Sequence, residues 1–182
     1  MVASERKVVV YELLSLDGIA EACEDFITEW DDVMDANLGD VIGSQDAVIL
    51  GRRSYDEWAG YWSASDIEPF ASFINTVPKY IATSTPLDKD WANAVPIDGD
   101  LAGFVRELKT QPGGDIGVHA SISVAQTLLA AGVVDELRVV VGPSIHSVGR
   151  RLLAGLPPIT LDLAKSETSP TGYLILNYRV VN

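Results

Sequence analysis

The chain of 182 residues carries 13 basic against 26 acidic side chains, a net charge of −13, and is 47% hydrophobic and 21% charged. That balance is ordinary for a folded domain, and it repels nucleic acid and anionic lipid, which excludes both as expected partners. One cysteine, Cys23, excludes a disulfide framework, and two histidines, His119 and His146, are too few for a zinc ligand set, so no metal site is expected.

A length of this order suits a single domain over 1–182. The N-terminal apolar run is short and lacks a cleavage pattern, and no apolar run approaches the roughly 18 residues of a membrane span. A cytoplasmic location is the resulting expectation.

Lys7 to Leu14 predicts a buried first strand, ended by the loop Ser15-Leu16-Asp17-Gly18. From Glu24 to Leu38, the residues Phe26, Trp30, Val33, Met34 and Leu38 recur at helical spacing, with Asp25, Glu29, Asp32 and Asp35 opposite. This predicts an amphipathic helix with a solvated acidic side. Asp31 falls at the border of its apolar stripe, where partial burial is expected to raise a carboxyl pKa and suit it to proton transfer or substrate anchoring.

Ala47 to Leu50 predicts a second strand, with a short helix over Ser54 to Trp58. Tyr80–Thr83 and Ala94–Ile97 follow as strands, and Leu101, Phe104, Val105 and Leu108 mark a helix. Asp115 to Val118 is a fifth strand. Ser121 to Ala131 is a helix so apolar that burial is expected, against a partner subunit if not within the chain, with Gly132 as its C-terminal cap. Strands over 136–141, 159–164 and 173–181 complete the chain, the last two joined by a turn at Pro170-Thr171-Gly172. The alternation indicates βαβ units and a largely parallel sheet.

Ligands of such sheets sit beyond the carboxyl ends of the strands, so three loops are the candidate sites. Gly51-Arg52-Arg53-Ser54 joins two guanidinium groups to a helix start, which suits phosphate or serves only as a capped turn. Thr83-Ser84-Thr85 offers hydroxyls to a ribose or to its own turn. His119-Ala120-Ser121-Ile122-Ser123 opens the apolar helix and offers backbone amides to an anion; His119 is an acid–base candidate or a structural residue. There is no nucleophile elbow, no Walker lysine loop and no G-x-G-x-x-G after the first strand.

Four segments, taken together, carry a resemblance: Ser-Leu-Asp-Gly at 15–18, Gly-Arg-Arg-Ser-Tyr-Asp-Glu-Trp at 51–58, Gly-Gly-Asp-Ile-Gly-Val at 113–118, and Val-Asp-Glu-Leu-Arg-Val at 134–139 leading into Gly-Arg-Arg-Leu-Leu at 149–153. In this order they resemble the dihydrofolate-reductase-like family, and are similar to the C-terminal reductase domain of the bifunctional riboflavin-biosynthesis deaminase/reductase. The resemblance implies an α/β fold of three layers, a central mixed, mostly parallel sheet flanked by helices, with an antiparallel C-terminal edge.

It also implies a homodimer and an NADPH-dependent reductase of a small heterocycle. Arg52 and Arg53 would then face the 2′-phosphate, and Ser54 with Gly51 the diphosphate. Thr83, Ser84 and Thr85 would face the adenosine ribose, and His119, Ala120, Ser121, Ile122 and Ser123 the diphosphate again. Ser15, Asp17 and Gly18 would form a lid beside the nicotinamide, and Trp30 and Asp31 would line the substrate cleft; the proton route is then either Asp31, the catalytic candidate, or an ordered water. Relatives carry glycine at the fifth-strand turn; Ala120 here has less room and disfavours positive φ, so a non-catalytic binding protein on the same scaffold is the alternative. From Val8 to Gly51 there are eleven acidic residues and no basic one, which favours a neutral or cationic substrate.

Overall fold

The computed structural model describes residues 6–181. Its strands are β1 (Val8–Leu14), β2 (Gln45–Gly51), β3 (Lys79–Ala82), β4 (Ala94–Ile97), β5 (Asp115–His119), β6 (Glu136–Val141), β7 (Thr160–Thr168) and β8 (Leu174–Val181). The helices are α1 (Asp32–Gly43), α2 (Arg52–Trp62), α3 (Phe70–Thr76), α4 (Leu101–Lys109) and α5 (Ile122–Ala130).

The strands form one sheet in the order β4-β3-β2-β5-β1-β6-β8-β7. Pairing is parallel from β4 through to β6, and β8 runs antiparallel to both β6 and β7. Val8, Val9 and Val10 are fully buried because β1 is central and covered on both faces. On one face α4 and α5 pack Val105, Ala125 and Leu128 onto Val8, Val10, Ile49 and Val118. On the other, α2 and α3 cover Val48 and Leu50, while α1 sets Met34 and Val41 against Tyr11 and Ile175. The α5 helix is thus buried within its own chain.

Three departures from the sequence reading have identifiable causes. The helix expected over 24–38 begins only at Asp32 and continues to Gly43. Asp31 is its N-cap, accepting from the Val33 and Met34 amides, and the Tyr173 hydroxyl takes up the Thr28 and Glu29 amides before it. A cap bond needs non-helical backbone at the capping residue, so the helix cannot extend back through Trp30. Next, α2 starts two residues before Ser54, so Ser54 stands in the first turn rather than at the cap. Finally, α3 lies in a stretch where no element is expected; Phe70, Phe73, Ile74 and Val77 do show helical spacing, but over only seven helical residues.

The chain leaves β2 toward β3 on one side, whereas it leaves β5 toward β6 on the other. The carboxyl ends of the adjacent β2 and β5 therefore flank a topological switch point, the place where ligands enter open α/β sheets. α2 and α5 both start there.

The Tyr173 hydroxyl is nearly fully buried and is the acceptor for two backbone amides. Tyr173→Phe is therefore expected to lower the unfolding free energy by about 1–3 kcal/mol in a urea titration, the loss of two part-buried hydrogen bonds.

Candidate functional site

At the switch point the two strand–helix turns are joined by a relay of hydrogen bonds. The Gly51 amide donates to Ser121 Oγ (2.9 Å), Ser121 Oγ donates to Ser54 Oγ (2.9 Å), and Ser54 Oγ donates to the Ala120 carbonyl (2.8 Å). Each hydroxyl accepts once and donates once. A Cβ at Gly51 would make only ordinary van der Waals contact with the Val124 and Ser121 side chains, so the approach of the two turns does not itself demand glycine. Ser54 and Ser121 are both buried, so their hydroxyls act inside the protein and do not reach outward to a diphosphate. Because Ser121 is turned toward Ser54, α5 has no side-chain cap. The first amides of α5, those of Ile122 and Ser123, are thus left without a cap from the Ser121 side chain at the positive end of the helix.

Ala120 holds φ = 48°. The turn thus demands a left-handed residue, and alanine adopts it under strain.

The arginines are placed differently from expectation. Arg52 is fully engaged: Nε bonds Asp56, while its other nitrogens bond Thr85 Oγ1 (2.6 Å), the Pro86 carbonyl and Asp88. It rivets α2 to the loop after β3, and two carboxylates already occupy the place expected for a phosphate. Arg53 is 69% exposed and pairs with Glu57 and Glu21. Arg150, also exposed, donates to Ser123 Oγ at the start of α5 (2.7 Å), and its backbone amide donates to Glu21. Arg151 bonds the Asp17 carbonyl and pairs with Ile19 in a β-bridge. The acidic first quarter of the chain is therefore met by the guanidinium groups of Arg53 and Arg151 and by the backbone amide of Arg150, contacts which its sequence could not show.

The 15–18 loop is tied down. Ser15 Oγ donates to Asp17, whose carboxylate also takes the His146 and Ser147 amides, and Gly18 turns with φ = 83°. Those backbone amides, above all that of His146, hold the Asp17 carboxyl down at about 2. Ser15 and Asp17 thus build the loop. Trp30 lies before the helix, 42% exposed, with its indole on Asp35.

Asp31 departs furthest from expectation. Partial desolvation pushes its pKa up, yet hydrogen bonds from Thr171, Ser169 and the Met34 amide outweigh it and hold the carboxyl below the ordinary carboxylate range. Ionised and bonded by both the α1 amides and Thr171, it is a capping group with no proton to donate.

Beyond the ends of β3 and β4 lies a cavity of about 450 Å³ lined by Ala82, Thr83, Ser84, Asp98, Gly99 and Leu101. The second half of this wall, 98–101, is not among the loops expected to form a site, because nothing but its place between a short strand and the helix marked by Leu101 singles it out. Thr85 is turned away, onto Thr83 and Arg52.

His119 does not project into the turn. It is buried against Phe70, Phe73 and Tyr11, with Nε2 2.8 Å from Gln45 Oε1. Gly117 makes this possible: a Cβ there would fall on the Gln45 amide. Burial pushes the imidazole down to about 4, so it is neutral. On the same covered face, Tyr11 Oη, Asn37 Oδ1 and Gln45 Nε2 are buried without a hydrogen-bond partner among the described residues. Buried polar atoms of this kind call for a water or a ligand edge.

The family model of the RibD C-terminal domain matches residues 6–175. The chain is 25% identical over 181 residues to the uncharacterised protein YyaP of Bacillus subtilis, covering 96% of this chain and 95% of that one. Its fold is that of a protein assigned to riboflavin biosynthesis from Shewanella sp. PV-4 (TM-score 0.80, 16% identity, 97% and 99% of the two chains). It is also that of a pyrimidine reductase-like protein from Corynebacterium diphtheriae (TM-score 0.71, 15% identity, 97% and 92%).

Two outcomes are expected from this geometry. Ala120→Gly removes the left-handed strain and should raise stability by up to about 1 kcal/mol in chemical denaturation. The unfolded chain protonates His119 near its ordinary 6.5, whereas the folded chain does so only near 4. Its contribution to stability is therefore lost as pH falls from about 6.5 to 4, and proton NMR should show one imidazole still neutral at about pH 5.

Proposed function

Because the chain belongs to the RibD C-terminal domain family, we propose that it is a reductase transferring hydride from NADPH to a small, uncharged heterocycle of the pyrimidine or pteridine kind. The observation that carries this reading is the switch point, where the α5 start meets Arg150, with Arg53 in the first turn of the adjoining α2, in a chain of net charge −13. Helix amides and guanidinium groups together suit a diphosphate.

The described residues fit the dinucleotide. Ile122, Ser123 and Arg150 would hold the diphosphate, and Thr83 and Ser84 the adenosine ribose in the cavity they line. Arg52, beside Thr85, is the cation at the adenosine end and would exchange the Asp88 carboxylate for the 2′-phosphate. When bound, the nicotinamide supplies the hydride. The protein's part is orientation. On the face under α1 and α3, Tyr11, Asn37, Gln45 and neutral His119 present hydrogen-bonding groups without net charge, which supports a neutral ring as substrate. Since Asp31 is ionised, the proton comes from a different group or from water.

A second reading, ligand binding without turnover, is favoured by the carboxylates that already hold Arg52. Calorimetry with NADPH, followed by reduced-nicotinamide absorbance against a panel of pyrimidines and pteridines, separates the two. Binding weakened about tenfold in Arg150→Ala, the loss of one charge-assisted contact, with oxidation on at least one substrate, is the expected result. Binding without oxidation across the panel supports the second reading, and no nucleotide binding at all overturns both.

A further inference from the structure

Among the described residues, Glu12 is the one acidic side chain buried in the sheet. It is 5% exposed and has the same strand parity as Val8, Val10 and Leu14, which face α4 and α5. The Ser121 amide, in the turn that opens α5, lies against its carboxyl. Its Oε1 has no hydrogen-bond partner among the described residues, and it joins none of the ion pairs found there.

The surroundings offer it no compensating charge. On its own strand Tyr11 is kept neutral by burial. In the loop that covers the strand end, burial pushes Cys23 up to about 11. Among the flanking strands, His119 of β5 is neutral and turned to the opposite face, while Arg138 of β6 is paired with Glu136. α5 carries no titratable side chain, and Arg150, at its start, is bonded to Ser123. A carboxylate so placed is disfavoured, and burial pushes Glu12 up to about 8. Near neutrality it is an acid, with a hydroxyl to donate.

We propose that neutral Glu12 is a binding residue at the floor of an anion site, donating its O–H to a diphosphate-bearing ligand that the first amides of α5 and Arg150 also hold. An ionised Glu12 would set a negative charge beneath the ligand, so binding is linked to one proton. The uncapped helix start and the unpartnered buried oxygen are independent observations, and both point to the same place. The dinucleotide reading above enters only in the choice of ligand.

The test is calorimetric titration of the full chain and of Glu12→Gln with NADPH and with ADP-ribose, from about pH 6 to 9.5, where a diphosphate diester does not itself titrate. The expected result is a wild-type affinity that is level up to about pH 8 and then declines toward tenfold per pH unit, the limit for one linked proton. Glu12→Gln, which keeps a donor and cannot ionise, should bind with no such decline. Coincident profiles for the two proteins would overturn the role of Glu12 and leave the reductase reading standing. A profile that follows Glu12 with ADP-ribose, while NADPH does not bind, would sink the reductase reading and support the anion site. Failure of both ligands at every pH removes both. Should the variant not fold, carbon NMR of the wild-type carboxyl serves instead: linkage is reciprocal, so ADP-ribose must raise the Glu12 titration midpoint, and an unmoved midpoint rejects the proposal.

Discussion

The relay from the Gly51 amide through Ser121 and Ser54 to the Ala120 carbonyl is the constraint on which the rest of the site depends. It ties together two turns that leave the sheet toward opposite faces, and so fixes where α2 and α5 begin. Two buried hydroxyls with one donor and one acceptor partner each leave nothing unsatisfied. Two further features are drawn along with it: the left-handed alanine at 120, and an α5 start whose own serine is directed elsewhere. The positive end of α5 is therefore left to a ligand and to Arg150.

Charge is organised around this point rather than spread evenly. Eleven acidic residues and no basic one lie between Val8 and Gly51, yet Arg53 and Arg151 fold onto Glu21 and Asp17 from distant positions. Several of these carboxylates are structural acceptors for backbone amides, as Asp17 and Asp31 show. The buried interior follows the opposite rule. Glu12 and His119 sit where ionisation is disfavoured, and both are neutral near pH 7.

The strands were largely legible in the sequence, since short β-branched runs buried on both faces have few other solutions; β6 is recovered over its whole observed range, 136–141. Helix limits were less so. Hydrophobic period does not reveal which polar residue will cap, and the apolar stripe over 24–38 runs through a segment that Tyr173, far along the chain, holds open. The loops after β2, β3 and β5 could be named as candidates because parallel strands put their ends on one side of the sheet. The direction of each side chain could not. Arg52, Ser54 and His119 are near the expected place but are bonded inward, and Glu12 gave no signal, being one acidic residue in an apolar run.

What the sequence by itself determined was the α/β class, the mostly parallel sheet and the excess of acid, because composition and periodicity record local burial and charge; the family resemblance came separately, from four segments in order. What only the tertiary structure decided was which polar groups meet. Ser54 and Ser121 are 67 residues apart in the chain and share one hydrogen bond, and Arg150 reaches Ser123 across 27 residues. Contacts of that range are set by strand order, and strand order is fixed only when the two faces of the sheet have been covered.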